Sequence, residues 1–365
     1  MSPLTLASCL LANSISRYAI MTLNDRIDVL AELGRYLLQP PDAEMSTAMR
    51  RSLVDNGWFT EANQQQALHT IATSFLDRDR LAAWAAEYSI GGHQHPRRTI
   101  GVIMAGNVPL VGFHDWLCIF IAGERAKVKL SEKDRHLLPL LVSKIGEWEH
   151  EAWEYTEFAP EGEPLRGFDA VVATGSNNTA RYFEQYFSRY PHIIRRNRNA
   201  VAALSGAETM AELYALGRDV FGYFGLGCRN VSKLYVPHGY RFEALLEALH
   251  EYRDLILHHK YKNNFDYNFT LLILNHVPHM NNGCVLLHES PAFSSRIASL
   301  HYEYYADLDE LDELLASHRD DIQCVASNLP LRDFDSIPFG KTQEPTLADY
   351  PDAVDVMKFV CGHQT

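Results

Sequence analysis

Thr99-Ile100-Gly101-Val102-Ile103-Met104 runs into Ala105-Gly106-Asn107-Val108-Pro109, and an apolar helix follows to about Gly123. A short buried strand, a Gly/Asn/Pro turn and a helix make the first part of a βαβ unit. The next part comes at once. Ala126-Lys127-Val128-Lys129-Leu130 reads as a strand, with a helix expected from about Asp134. Phe168-Asp169-Ala170-Val171-Val172-Ala173 repeats the pattern, ends in Thr174-Gly175-Ser176 and enters a helix at Asn177. Ala200-Val201-Ala202-Ala203-Leu204 is a fourth candidate strand. Short apolar strands alternating with helices imply a parallel sheet covered on both faces, so the expected fold class is α/β.

Outward from this core, Asn24 is placed to cap a helix whose apolar positions Ile27, Leu30, Ala31 and Leu37 recur at helical spacing. More helical sequence follows to about Tyr88, then a turn-rich loop, Gly91-Gly92-His93-Gln94-His95-Pro96. A second unit is expected from about Gly206. Its order is a helix from about Glu208 to Phe224, a strand over Val231 to Val236, a helix from about Phe242 to Leu255, and strands at Cys284 to His288 and Ile297 to Tyr305. The tail from Pro338-Phe339-Gly340 to Phe359 is rich in turns and ends apolar. These breaks divide the chain into residues 21–205, 206–330 and 331–365.

Residues 1–20 raise a targeting question. Leu6-Ala7-Ser8-Cys9 superficially resembles a bacterial lipoprotein cleavage box, but a basic start is missing and the apolar core is short for a signal peptide. A disordered extension, with the folded part beginning at Met21, is the expectation. No apolar run approaches the roughly 20 residues of a membrane span.

The chain has 365 residues, which favours about two domains. Its formal charge of −13 lacks the basic footprint of a general nucleic-acid binder, so no nucleic-acid partner is expected. The six cysteines are scattered with no CxxC pair, which argues against structural zinc and fits a reducing, cytoplasmic setting. The paired histidines (His93/His95, His258/His259, His276/His279) form no metal-binding spacing, and no metal is expected.

Chemistry concentrates at Gly225-Leu226-Gly227-Cys228-Arg229-Asn230. Glycines beside a cysteine let the backbone bend tightly and approach a substrate. Arg229 is placed to favour the thiolate, the reactive form of the side chain. A buried, inert thiol is the competing account, because cysteine is among the most buried residue types.

Four segments in this order resemble the aldehyde dehydrogenase superfamily, and within it the LuxC-type acyl-CoA reductases. They are Ala105-Gly106-Asn107-Val108-Pro109, Lys129-Leu130-Ser131-Glu132, Ala173-Thr174-Gly175-Ser176, and Gly225-Leu226-Gly227-Cys228 with Val231 to Pro237 behind it. The turn at Pro338-Phe339-Gly340 adds to the likeness. The resemblance implies two α/β domains with mostly parallel sheets and an active site in the cleft between them. Residues 21–205 would bind NAD(P) and 206–330 would carry the thiol. Residues 331–365 would return to the NAD(P)-binding domain or form an oligomer interface, and a homo-oligomer is one expectation.

The implied reaction is acyl-CoA + NAD(P)H → aldehyde + CoA, with a fatty aldehyde as the product class. Cys228 matches the nucleophile, which would carry the acyl group. Asn107 matches the oxyanion-hole amide. Lys129, Ser131 and Glu132 match the adenosine-ribose site; the first two suit NADPH, Glu132 suits NADH, and the choice stays open. Thr174, Gly175 and Ser176 would seat the pyrophosphate at a helix N-terminus. Glu289 is a loose match to the residue that binds the nicotinamide ribose. Hydrolytic superfamily members carry a glutamate base where this chain has Arg195-Arg196-Asn197-Arg198-Asn199, which has no carboxylate. That departure favours transfer to or from CoA over hydrolysis, and the arginines are candidates for holding phosphates. Two other functions fit the same residues: a cysteine acyltransferase or esterase without nicotinamide, and a non-catalytic protein that binds an acyl or CoA ligand.

Overall fold

The computed structural model describes residues 21–90 and 98–362. The expectations for residues 1–20 and for the loop Gly91 to Pro96 lie outside the described residues.

The chain opens with four helices, α1 (Leu23–Leu37), α2 (Ala43–Asp55), α3 (Glu61–Thr70) and α4 (Arg78–Ala86). Thr22, not Asn24, caps α1. Its hydroxyl accepts from the Asp25 N–H while the Asp25 carboxylate accepts from the Thr22 N–H, a reciprocal pair that fixes the start two residues earlier. A wider π-helical turn, Ile71–Phe75, continues α3.

Five strands then form a wholly parallel sheet: β1 (Thr99–Ile103), β2 (Arg125–Lys129), β3 (Thr156–Phe158), β4 (Ala170–Thr174) and β5 (His192–Arg195), in the spatial order β3-β2-β1-β4-β5. Helix α5 (Phe113–Ala122) joins β1 to β2 and is buried on nearly every side, as its largely apolar sequence demands. Helix α6 (Leu137–Trp148) starts three residues after Asp134, which lies in a tight turn, and α7 (Asn177–Phe187) follows β4. From β1 the chain proceeds to one side of the sheet, and from β4 to the other. Ligands of such sheets bind at the crevice where the order reverses, beyond the carboxyl ends of the strands.

The second sheet has seven strands. In chain order they are β6 (Asn199–Ala203), β7 (Val231–Pro237), β8 (Met280–Asn281), β9 (Leu286–Glu289), β10 (Ser299–Tyr305), β11 (Ile322–Ser327) and β12 (Ser336–Ile337). Their spatial order is β12-β11-β6-β7-β10-β9-β8, and only the edge strand β8 runs antiparallel. Helices α8 (Met210–Phe221), α9 (Glu243–His250), α10 (His259–Leu274) and α11 (Leu308–Ser317) complete this half.

Strand β6, which lies before the expected boundary at 205, pairs with β7 and β11 in the second sheet. Its Ala-Val-Ala-Ala composition suits either sheet, and partners far along the chain decide the matter. Helix α12 (Val356–Val360) comes back to pack on α5, with Val356, Met357 and Val360 in the first half's core.

Candidate active site

The thiol loop is built from strained backbone. Tyr223, Phe224 and Gly225 are left-handed in succession, at φ 49°, 58° and 77°. Glycine takes this conformation freely, whereas an ordinary residue costs about 1–2 kcal/mol. Such strain persists only where the surroundings over-determine it. Here Phe224 packs between Trp58 and His258, with ring centroids at 5.2 and 4.5 Å. Buried Asn230 holds the loop's other end: its Oδ1 accepts from the Gly227 N–H at 2.7 Å, and its Nδ2 donates to the Gly222 and Asp219 carbonyls at 2.8 and 3.0 Å. The Asp219 carboxylate in turn accepts from the Gly340 N–H, the Thr342 N–H and the Thr342 hydroxyl, which ties the loop to the Pro338-Phe339-Gly340 turn. This scaffold was not read from the sequence; the only signal was an asparagine two residues past the cysteine.

Cys228 stands between two cavities. One, of about 1000 Å³, opens at the carboxyl ends of β1, β2 and β4. That volume is at the upper end of the range for small-molecule sites. The other, about 190 Å³, has mainly apolar walls that include Ala67, Ile71 and Phe75 from α3 and its π turn, and Val108 to Phe113. Gly227 and Cys228 line both.

Asn107 lies in the turn after β1 and lines the large cavity with Cys228. Its Nδ2 donates to the Leu226 carbonyl at 2.6 Å, so the amide reaches the thiol loop itself. Packing around Cys228 pushes its thiol above the ordinary range; Arg229 pulls the other way but is outweighed. The expectation of an arginine-stabilised thiolate therefore changes to a thiol protonated at rest. The Arg229 guanidinium is also engaged, donating to the Asp349 carbonyl at 3.0 Å.

Lys129, Ser131, Thr174, Gly175 and Ser176 all line the large cavity. Ser176 caps α7, its hydroxyl accepting from the Thr179 N–H, so the positive end of that helix faces the space. Glu132 is exposed and is not among the lining residues, whereas its neighbour Lys133 is. Glu289 is exposed at the end of β9 and does not line the cavity. From that region the wall is instead Ser294 to Ser299, so the loose match at Glu289 is not brought to the site. The cavity's charged lining is Lys129, Lys133, Arg196, Arg198 and Arg296, with no carboxylate among the described lining residues. In a chain of net charge −13, that is a local inversion suited to a polyanion.

The three arginines before β6 divide. Arg195 is buried and paired with Asp115 at 2.5 Å, which removes it as a phosphate ligand in the large cavity. Arg196 pairs with Glu184 at 2.5 Å and Arg198 with Asp352 at 3.3 Å, and both line the large cavity. The segment itself has no carboxylate, but the fold brings Asp352 from the C-terminal tail to the small cavity. Burial raises its carboxyl, and Arg198 and Arg195 oppose that shift. Among the described residues no cluster of metal ligands occurs, and no helix is long and apolar enough to cross a membrane.

The chain has the fold of the aldehyde dehydrogenases. It superposes on the NAD-dependent aldehyde dehydrogenase of Sinorhizobium meliloti with a TM-score of 0.62 at 13% identity, over 86% of this chain and 72% of that one. A mutant of aldehyde dehydrogenase C from Pseudomonas syringae, solved with NAD+ and octanal, gives 0.59 at 13% identity over 89% and 83%. A putative aldehyde dehydrogenase, PutA, from Anabaena variabilis gives 0.60 at 16% identity over 86% and 76%. No family model matches the sequence, and no curated protein does.

Proposed function

We propose that this protein is a nicotinamide-dependent oxidoreductase that reduces an acyl thioester, with acyl-CoA as the expected donor, to an aldehyde. The observation that carries the reading is the position of Cys228, in a strained loop between a large cationic cavity and a small apolar one. The small cavity suits an acyl group beside the sulfur. The large one suits a dinucleotide: Lys129, Lys133, Arg196 and Arg198 would hold phosphates, and the α7 N-terminus with Gly175 would face the pyrophosphate. Lys129, Ser131 and Lys133 line the cavity while Glu132 does not, which favours a phosphorylated ribose and hence NADPH over NADH.

When bound, the nicotinamide supplies a hydride. The rest is the work of the chain's own residues. Cys228 Sγ attacks the thioester carbonyl, the C–S bond to CoA breaks, and the proton lost from Cys228 ends on the CoA thiol. Asn107 Nδ2 leaves the Leu226 carbonyl and donates to the developing oxyanion. The reduced acyl carbon then leaves Cys228 as an aldehyde, and the sulfur regains a proton. No carboxylate occupies the segment where hydrolytic relatives carry their base, and Asp352, which the fold brings to the small cavity, is paired with Arg198; both support CoA rather than water as the partner of the acyl group.

The test is acyl-CoA-dependent oxidation of NADPH and of NADH over a series of chain lengths, with wild type and Cys228→Ala. The reading expects turnover that is faster with NADPH and absent in the variant. Release of CoA without oxidation of either cofactor would identify an acyltransferase or thioesterase instead. Turnover that survives Cys228→Ala would remove the covalent step.

A further inference from the structure

We propose that Asp134 is a positioning residue that couples the cofactor's ribose seat to the oxyanion amide of Asn107. The inference rests on the functional reading above and adds to it a route by which occupancy of one site sets the geometry of the other.

The Asn107 turn is gripped at both ends by one neighbouring turn, Ser131 to Asp134. At its start, Gly106 lies so close to Ser131 that a Cβ there would sit 2.4 Å from the serine hydroxyl oxygen. At its end, Leu110 is left-handed, with φ 58°, and its N–H donates to Asp134 Oδ2 at 2.7 Å. Leucine has no reason of its own to adopt this backbone, so an external partner must hold it. Two other contacts reach the turn from outside: Asn56 Nδ2 donates to the Gly106 carbonyl at 3.3 Å, and the Asn107 amide itself to the Leu226 carbonyl at 2.6 Å.

The gripping turn is itself closed. The Asp134 N–H donates to the Ser131 carbonyl at 3.0 Å, and the Lys133 N–H to the Ser131 hydroxyl at 3.3 Å. Ser131 and Lys133 line the large cavity on the side of the adenosine ribose; Asp134 is buried behind them and touches the other turn. A ligand that moves Ser131 or Lys133 therefore moves Gly106 by contact and Leu110 through the Asp134 carboxylate. Asn107 lies between those two points.

Asp134 is also an odd residue for a purely structural role. Its Oδ1 is buried without a hydrogen-bond partner. Burial drives its carboxyl up to about 7 against the opposing pull of the Leu110 N–H. Unmet buried polar atoms are costly and tend to mark function.

The test uses the full chain with Asp134→Leu, which removes the acceptor, and Asp134→Asn, which keeps one. Displacing a reacting group by about 1 Å can cost 10²-fold. Asp134→Leu should therefore lower kcat by about 10- to 100-fold, with NADPH affinity changed less than about 3-fold, while Asp134→Asn stays within about 5-fold of wild type. A Leu variant with wild-type kcat, a loss explained by weaker NADPH binding, or an Asn variant as impaired as Leu would each overturn the proposal. If Asp134→Leu does not fold, Gly106→Ala replaces it. That variant pushes Ser131 away and should show the same loss of kcat, and an unchanged kcat would overturn the proposal equally.

A second readout separates this inference from the functional one. NADP+ should change the rate at which iodoacetamide alkylates Cys228 in wild type and Asp134→Asn but not in Asp134→Leu. If wild type shows no acyl-CoA reduction, the functional reading fails and this assay still decides the coupling. An alkylation rate that ignores NADP+ in wild type, or responds equally in all three proteins, would sink it.

Discussion

Two turns meet at the site, and both depart from relaxed backbone. The turn after β1 holds Asn107 and places Leu110 at φ 58°. The turn before β7 holds Cys228 and places Tyr223 and Phe224 at 49° and 58°. They differ in what restrains them. The thiol turn is fixed by a neutral amide with three hydrogen bonds, by ring packing on Phe224 and by the Pro338-Phe339-Gly340 segment. The amide turn is held at its far end by one carboxylate with an unpartnered oxygen, Asp134, and otherwise by the Asn107 bond to Leu226 and a long contact from Asn56. The proposed nucleophile thus sits on a turn braced from several sides, while the proposed oxyanion donor sits on a turn whose Asp134 contact adjoins the proposed cofactor seat. Asn107 is bonded to the Leu226 carbonyl, so the proposed role requires that bond to be released.

The sharpest break of this comparison is Cys228→Ala, which should reduce thioester reduction to background while leaving NADPH binding intact by fluorescence titration. Next is Asn107→Ala. Loss of one oxyanion donor typically costs about 10²–10³ in rate, so kcat should fall by that much with acyl-CoA affinity little changed. The reverse pattern would mean that Asn107 only braces the thiol turn.

Asn230→Ala attacks the rigid side. It orphans the Gly227 N–H and the Gly222 and Asp219 carbonyls, and at about 1 kcal/mol for each lost bond, or more where a partner stays buried, it should destabilise the fold by about 2–4 kcal/mol. Thermal melting reads that loss; an unchanged melting temperature would show the loop to be held by packing alone.

The smallest effect comes from pH. The Asp134 carboxyl is raised from its ordinary 3.8 to about 7 in the folded chain. A group raised on folding contributes stability at low pH that is lost as pH rises through the folded value. By linkage, about 2 kcal/mol should disappear between pH 5 and 8 in wild type and not in Asp134→Asn. The difference in melting temperature between the two proteins should change over that window in the direction of relative loss for wild type. A difference that stays constant would contradict the burial argument.

Much of the first half was legible in the sequence. Strands β1 and β4 are short apolar runs that end in Gly-containing turns, and α5 is apolar apart from His114 and Asp115 and stops at Gly123. Cys228, Asn107, and the Lys129 and Gly175 segments sit beside strand or helix ends, but the resemblance to aldehyde dehydrogenases, not the elements, singles them out. Other parts carry weaker local signals. Strand β3 is only three residues long, and β5 has just Ile193 and Ile194 between a histidine and an arginine. Helix α10 mixes Lys, Asn, Tyr and Phe in a pattern with neither clear period. Asp352 reaches the small cavity from the far end of the chain, and Asn230 and Asp134 act through contacts that local sequence does not announce. Glu289 was assigned from its place after a strand, but the adjacent stretch Ser294 to Ser299 forms the wall there.

In the proposed reaction Cys228 carries the acyl group on its way to an aldehyde. Intact-protein mass spectrometry after mixing with acyl-CoA in the absence of cofactor tests it most directly. The account predicts one adduct of the acyl mass, mapped to Cys228, that disappears as aldehyde forms on adding NADPH. No adduct, an adduct at another residue, or one that NADPH leaves in place would contradict it.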